Sequence, residues 1–453
     1  MSCRHRKGGG EEGEEGRRML LKRTRSDLQI DTPLLSALQA GEPLRKRPEC
    51  ASADGTAEAS SAPDSGHKLT WSCDIGGSLI KIVWVYVPRE VVHPESLASP
   101  GRGSACNTRT PMDIPTSTQH PPDLQPHVQK IMEENPNMKF NFVSFLTSEL
   151  EQAFEFLEEN GLLEEYSPTE ESRHSVMVTG GGAYKYSKLF EERYNVNVQK
   201  VDEMVALVRG LNFALKNCHT EAFTVHPLTK EHTYLEPDSE IFPFLVVNVG
   251  SGISILKVDG EDDFKRVSGS SVGGGTFFAL ARLITDVSNY DDILELCHKG
   301  RNEEVDMLVG DIYGGDYSAL KLPASTIACS CGRVLQSKIE EGHSYRDQFS
   351  KASVLRSLLF MFANNTAQIA SLNAQRFGLK HIYFTGSFIR DHPDTLSNLA
   401  FGIYFWSNGE IEPRFLKHEG YVGALGAYLT RFMPSRSRPE EAALSTATTS
   451  AAV

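Results

Sequence analysis

The chain contains no uninterrupted apolar run of membrane-spanning length, so a transmembrane helix is not expected. Its first residues carry no apolar signal-peptide core, and the acidic run GEEGEEG (10–16) is wrong for a transit peptide. Eight cysteines are present without a CxxC pair, and Cys329 and Cys331 stand one residue apart. That spacing argues against a disulfide frame or a zinc site, and the thiols are read as reduced. An excess of positive charge is also missing. The net charge is −13 and the isoelectric point about 5.6, which speaks against nucleic-acid or membrane-surface binding by the body of the chain. What remains is a soluble cytoplasmic protein. Its 453 residues, 40% of them hydrophobic, suffice for two or three packed units.

Composition divides the chain. Residues 1–69 are rich in Gly, Glu, Arg, Ser and Ala with few aromatics, and are expected to be disordered. Two basic clusters there, RRMLLKRTR (17–25) and LRKRP (44–48), are read as parts of a solvated tail in preference to nuclear-import signals. A Pro/Ser/Thr-rich stretch over 93–127 reads as a disordered insertion within a folded half, and 435–453 as a disordered tail.

The folded part repeats itself. CDIGGSLIKIVWV (73–85) and VNVGSGISILKV (247–258) each run strand, acidic or amide residue, apolar residue, glycine turn, strand. Asp74 matches Asn248, Ile75 matches Val249 and Gly76 matches Gly250. Downstream, VMVTGGGAYKYSKLF (176–190) and IYFTGSFIRDHPDTL (382–396) share strand, Thr, Gly, small residues, then helix. The economical reading is a duplicated α/β half, at 70–240 and 241–434, with a cleft between the copies. VDEMVALVRGLNFALKN (201–217) has the apolar spacing of an amphipathic helix, NYDDILELCHKG the terminal residues of one, and the apolar stretch ending RFG reads as a core helix.

In DIGGSLIK a carboxylate, Asp74, ends a buried strand; Gly76, Gly77 and Ser78 follow in the turn, and Lys81 lies on the returning strand. Backbone amides freed by glycine reach phosphate oxygens, a carboxylate holds Mg²⁺ or its water, and lysine neutralises phosphate charge. The plainer reading is a hairpin whose Asp makes a local turn bond. A second hairpin, at Gly250, Ser251 and Gly252, favours the functional one. TGGGAYK (179–185), with Gly180 and Gly181, and SVGGGTFFAL (271–280) set three glycines before a helix, suiting an anion or a flat nucleotide; the alternative is a turn needing positive φ. Neither has the GxGxxG or GxxxxGK[ST] spacing. Asp202 and Glu203 open a helix, where capping accounts for both and a base for a substrate hydroxyl is the other reading. Lys265 and Arg266 precede the second glycine loop, where Arg266 suits a carboxylate, carbonyl or phosphate.

Together the blocks DIGGSLIK, TGGGAYK, VDEM, NVGSGISIL, KRVSGSSVGGGTFF, DIYGGDY and HEGYVGALGA, over residues 70–432, resemble the eukaryotic-type (type II) pantothenate kinases. The resemblance implies two actin-like, ribonuclease H-like halves enclosing an active-site cleft, and phosphorylation of pantothenate by ATP with Mg²⁺, the first step of coenzyme A synthesis. It implies Glu203 as catalytic base, and Ser251, Ser254 and Arg266 as contacts of pantothenate and of the acetyl-CoA inhibitor. Asp74, Gly76, Gly77, Ser78, Lys81, Gly180, Gly181, Gly250 and Gly386 would surround ATP and its phosphates, Asp74 with the metal. It further implies a homodimer with Trp406 near the inhibitor pocket. Ser78 stands where the family usually has Thr, and Ser387 where it commonly has Asn; residues 86–175 match poorly outside MKFNFVSF. A catalytically silent acyl-CoA-binding regulator and a sugar kinase of the same fold are the other readings.

Overall fold

The structure, a computed structural model, describes residues 70–86, 107–112, 139–163, 175–238, 240–320, 322–338 and 344–431. The expectations for 1–69, for 435–453 and for most of 93–127 fall outside those residues. Inside 93–127 the structure describes a strand at 107–112, where the composition suggested disorder. Asn-Thr-Arg-Thr pairs there with a neighbouring strand, so an available sheet edge outweighs the local Pro/Ser content.

Six strands form the first sheet: β1 (Thr70–Ile75), β2 (Leu79–Tyr86), β3 (Asn107–Met112), β4 (Lys139–Leu146), β5 (Ser175–Thr179) and β6 (Asn197–Lys200). Their order is β3-β4-β2-β1-β5-β6. The second sheet holds β7 (Ala222–Val225), β8 (His232–Tyr234), β9 (Phe244–Val249), β10 (Ile253–Val258) and β11 (Phe264–Ser270). A two-stranded ribbon of β12 (Met307–Leu308) and β13 (Ile327–Cys329) stands apart, and β14 (His381–Thr385) and β15 (Glu412–Leu416) complete the second sheet. That sheet runs β11-β10-β9-β14-β15-β7-β8.

The cores of the two sheets are copies. β4-β2-β1 and β11-β10-β9 are both antiparallel, and each first strand pairs in parallel with the strand that follows a helical crossover, β5 or β14. A further parallel strand, β6 or β15, closes each set. This is the duplicated ribonuclease H-like topology of the actin-like fold. The first strands sit at the centre of each sheet, and LVVNV is apolar on both faces because helices cover both. Two segments cross the boundary expected near residue 240. β7 and β8 join the second sheet through β15, and a C-terminal helix returns to the first.

Helices α1 (Leu150–Glu159) and α2 (Gly182–Tyr194) cover the outer face of the first sheet. Trp71, Phe154 and Phe190 pack there, with Phe154 edge-on to Phe190 at 4.9 Å. The inner layer is α3 (Glu203–Asn217). Then follow α4 (Gly274–Thr285), α5 (Tyr290–Lys299), α6 (Lys351–Phe377) and α7 (Pro393–Ser407), which bury Phe277, Leu359 and Phe362 against Phe384 and its neighbours in the second sheet. The last helix, α8 (Val422–Thr430), lies on β1 and β2, where Ser72 Oγ donates to Ala424 O at 2.7 Å. None of the described helices is long and apolar enough to cross a membrane.

α3 and α8 lie between the sheets. Leu207, Val208 and Leu211 of α3 pack on Phe244, Val246 and Tyr383 of the second sheet, while Ala424, Leu425 and Tyr428 of α8 pack on Val83, Phe140 and Phe142 of the first. The two helices touch backbone to backbone: a Cβ on Gly426 would overlap Ala206 O, and one on Gly210 would overlap Val422 O. No side chain fits at either position without separating the helices.

Gly426→Val is therefore expected to lower the unfolding free energy by roughly 3 kcal/mol or more, as severe overpacking does. Gly315→Ala, where an added Cβ meets nothing within 4 Å, should stay within about 0.5 kcal/mol of wild type. Urea unfolding measures both, and equal stability of the two variants would contradict the close helix contact.

Candidate active site

The two glycine turns face each other across a cleft of about 420 Å³, within the range of small-molecule sites. Gly76–Ser78 joins β1 to β2 and Gly250–Gly252 joins β9 to β10, and Ser78 Oγ lies 3.0 Å from Ser251 Oγ. Their approach requires small residues. A Cβ on Gly77 would sit 3.2 Å from Ser251 Oγ.

Asp74 and Lys81 are directly paired across the first hairpin, and Lys81 Nζ donates to Asp74 Oδ2 at 3.0 Å. Both side chains are 14% exposed, a half-dry ion pair opening on the cleft. The equivalent pair in the second hairpin is Asn248 and Ser254, which is uncharged. The duplication has thus kept geometry and changed chemistry, placing the charged pair on one wall.

Two glycines assigned to ATP lie one beneath each wall and are not part of the cleft lining. Gly180, at φ +82°, leaves room for Asp74: a Cβ there would be 2.5 Å from Asp74 Oδ1 and 2.6 Å from Ile75 O. Gly386, at φ +100°, does the same for Asn248, since its Cβ would overlap Val249 O and come within 2.8 Å of Asn248 Oδ1. The repeated Thr-Gly is a bed for the strand-end side chain. Of the first triplet, Gly181 is the one that reaches the cleft, and Gly182 leaves space for Ile75.

Of the second triplet, Gly273–Gly275, two members, Gly274 and Gly275, line the cleft. None of the three has positive φ, and their smallness lets the start of α4 press on the second hairpin. A Cβ on Gly273 would be 2.6 Å from Gly252 C, and one on Gly275 3.0 Å from Ser251 Cα.

The structure separates the two readings of Asp202 and Glu203. Asp202 is the N-cap of α3, its Oδ1 accepting from Met204 N at 2.9 Å and Val205 N at 3.0 Å. Glu203, the next residue, turns into the cleft among Asp74, Lys81 and Arg266. Its carboxyl reaches solvent yet stands between the cleft walls. Desolvation there pushes its pKa above the ordinary carboxylate value, the Asp74 charge adds to the rise, and Lys81 and Arg266 oppose it. Arg266 lies along β11 over Gly269, where a Cβ would come within 2.5 Å of Nη2.

Asp74, Gly76, Gly77, Ser78, Lys81, Gly181, Glu203, Gly250, Ser251, Ser254 and Arg266 thus share one cleft. Trp406 lies on α7 with 41% of its surface exposed, outside the cleft lining. The sequence reading missed several contributors. In HEGYVGALGA, His418 anchors the loop by pairing with buried Glu221 (Nδ1 to Oε2 2.7 Å), Glu419 and Gly420 line the cleft, and Gly423 passes under Asp74. Phe278, Tyr290 and Arg390 wall the end within the second half. The glycines of HEGYVGALGA were a usable signal, whereas nothing local marks Tyr290 or Phe278.

Duplicated ribonuclease H-like halves, with facing glycine hairpins and a paired Asp and Lys on one wall, enclose the cleft of an actin-like fold. The Fumble family profile matches residues 70–430, and the chain belongs to that family. Among its relatives, pantothenate kinase 2 of Arabidopsis thaliana is 50% identical over 256 residues, 56% of this chain and 28% of that one. A pantothenate kinase of Schizosaccharomyces pombe is 34% identical over 369 residues, 81% of this chain and 83% of its own. A mouse protein named 4'-phosphopantetheine phosphatase is 38% identical over 361 residues, 79% of this chain and 40% of its own. The chain therefore spans less than a third of the Arabidopsis relative's length and less than half of the mouse relative's.

Asp202→Ala should lower stability by about 1 kcal/mol through loss of the cap. Glu203→Gln should leave the unfolding midpoint at or above wild type, because it removes a carboxylate whose charged form the cleft disfavours. Equal losses in thermal unfolding would contradict this division of labour.

Proposed function

We propose that the protein transfers the γ-phosphoryl group of ATP to the primary hydroxyl of pantothenate, giving 4'-phosphopantothenate for coenzyme A synthesis. The observation that carries the reading is Glu203, freed from capping by Asp202 and held in the cleft beside the Asp74–Lys81 pair. Kinase relatives over most of the folded chain support it. The phosphatase name of the mouse relative means that family membership alone does not imply a kinase, so the cleft residues have to bear the argument.

In this mechanism the triphosphate lies across the two hairpins, whose glycine backbones give it amide donors at close approach. Lys81 and Arg266 offset the charge that develops as the phosphoryl group moves. Ser251 and Ser254 orient the acceptor, and Glu203 takes the proton from its hydroxyl. A carboxyl raised above its ordinary pKa is the better base for an alcohol that loses its proton only as the new bond forms. Asp74, ending β1 on the cleft wall, would hold Mg²⁺ or its water, and the ion would supply charge neutralisation to the phosphates.

Acetyl-CoA would compete for the Ser251, Ser254 and Arg266 surface through the pantothenate portion it shares with the substrate. A homodimer is supported by large exposed apolar side chains on α6 and α7, namely Leu372, Phe401, Tyr404 and Trp406.

Glu203→Gln is expected to reduce kcat on pantothenate by about 10²- to 10⁴-fold, the range of a lost general base. In the wild type, kcat/KM should rise with pH through a group titrating above the ordinary carboxylate range, because only the ionised carboxylate accepts the proton. Steady-state kinetics across pH tests both, and turnover of the Gln variant near wild type would remove Glu203 as the base.

A further inference from the structure

Behind the cleft, outside its lining, stands a polar pair that the mechanism above does not use. Glu221, the residue before β7, and His418, two residues after β15, are 2% and 5% exposed. Glu221 holds the chain leaving β15 at three points. Its Oε1 accepts from His418 N at 2.9 Å, its Oε2 pairs with His418 Nδ1 at 2.7 Å, and its backbone carbonyl accepts from Lys417 N at 3.0 Å. The His418 ring packs on Phe142 of β4, with centroids 4.7 Å apart, so the clamp touches both sheets. From this anchor the chain runs into the cleft. Glu419 O accepts from Gly386 N at 2.8 Å, and a Cβ on Gly420 would sit 3.2 Å from Ser387 Oγ. Gly423 then passes under Asp74, where a Cβ would lie 3.2 Å from Oδ2. Residues 418–423 thus touch both walls.

We infer that Glu221 and His418 are positioning residues for phosphoryl transfer, holding residues 418–423 so that Asp74 keeps its place relative to the second wall. The inference rests on the kinase reading of the cleft. Two charge-bearing groups taken out of water are a costly way to fill a core, and an apolar pair of like volume is often no less cohesive. What Glu221 and His418 supply and an apolar pair does not is direction. Two contacts from one carboxylate to one residue fix both the backbone and the ring of His418. The residues that follow need that fixing, because Gly420 and Gly423 have no side chain to hold the loop, and Gly423 lies close against Asp74. A displacement on the order of 1 Å there would move the Asp74 carboxylate and slow the transfer, while leaving the acceptor's contacts at Ser251 and Ser254 in place.

The test compares the full-length wild type with Glu221→Met/His418→Phe, which replaces the pair by apolar bulk, and with His418→Asn and His418→Leu. Asparagine can return a donor near the position of Nδ1, and leucine cannot. Each protein is followed by steady-state kinetics with MgATP and pantothenate, by thermal unfolding, and by amide hydrogen exchange of peptides covering Gly386 and 418–425. The apolar variant should unfold close to the wild-type temperature yet turn over roughly ten- to hundredfold more slowly. Its pantothenate KM should stay within about twofold, and both peptides should exchange faster. His418→Asn should recover most of the turnover that His418→Leu loses. An apolar variant as active as wild type would overturn the inference, leaving the pair a merely structural role. Equal turnover of the Asn and Leu variants would overturn it too, and that comparison decides the matter where the double variant fails to fold. A change confined to pantothenate KM would also overturn it, by moving the effect to the acceptor. Wild type that forms no phosphopantothenate would defeat the kinase reading. Faster exchange in the apolar variant would then still support the clamp, and unchanged exchange would overturn it as well.

Discussion

The cleft depends on one close contact, the crossing of α3 and α8 between the two sheets. Gly210 and Gly426 let these helices meet backbone to backbone. Each helix also begins at the site: Glu203 opens α3, and Gly423, in the first turn of α8, passes within 3.2 Å of Asp74 Oδ2 when a Cβ is placed on it. The contact at mid-helix therefore sets the distance between the candidate base and the Asp74–Lys81 pair. Because α3 packs on the second sheet and α8 on the first, it also ties the two halves together at the level of the site.

Duplication supplied the frame and divergence the chemistry. Asp74 over Gly180 and Asn248 over Gly386 are the same device in two copies, a strand-end polar side chain bedded on a left-handed glycine. Only the first copy carries charge, with Lys81 paired to Asp74, while Ser254 faces Asn248. The result is a polarised cleft, with the ion pair on the first wall and Glu203 between the walls. Across from it the second wall offers neutral hydroxyls, Arg266 and the aromatic end at Tyr290.

Much of this was legible in the sequence because it rests on local rules. The paired hairpins, the repeated Thr-Gly and the amphipathic helix from Glu203 depend on strand alternation, turn chemistry and 3.6-residue spacing. What escaped was decided by packing at long range. That Gly273 and Gly275 also make room for the backbone of the second hairpin is a packing role that three glycines before a helix do not announce. β7 precedes the expected boundary but pairs with β15, a partner nearly 200 residues away whose position no local pattern announces, and β8 follows it by pairing with β7. Arg390 and Asp391 adopt left-handed backbone without the glycine that would signal it.

The most direct measurement is the product formed by the purified full chain with MgATP and pantothenate, followed by mass spectrometry alongside a panel of sugars. Formation of 4'-phosphopantothenate in step with ADP, and of no sugar phosphate, is the expected result. Bound ADP with no phosphorylated pantothenate would contradict the assignment of this cleft to phosphoryl transfer onto that alcohol.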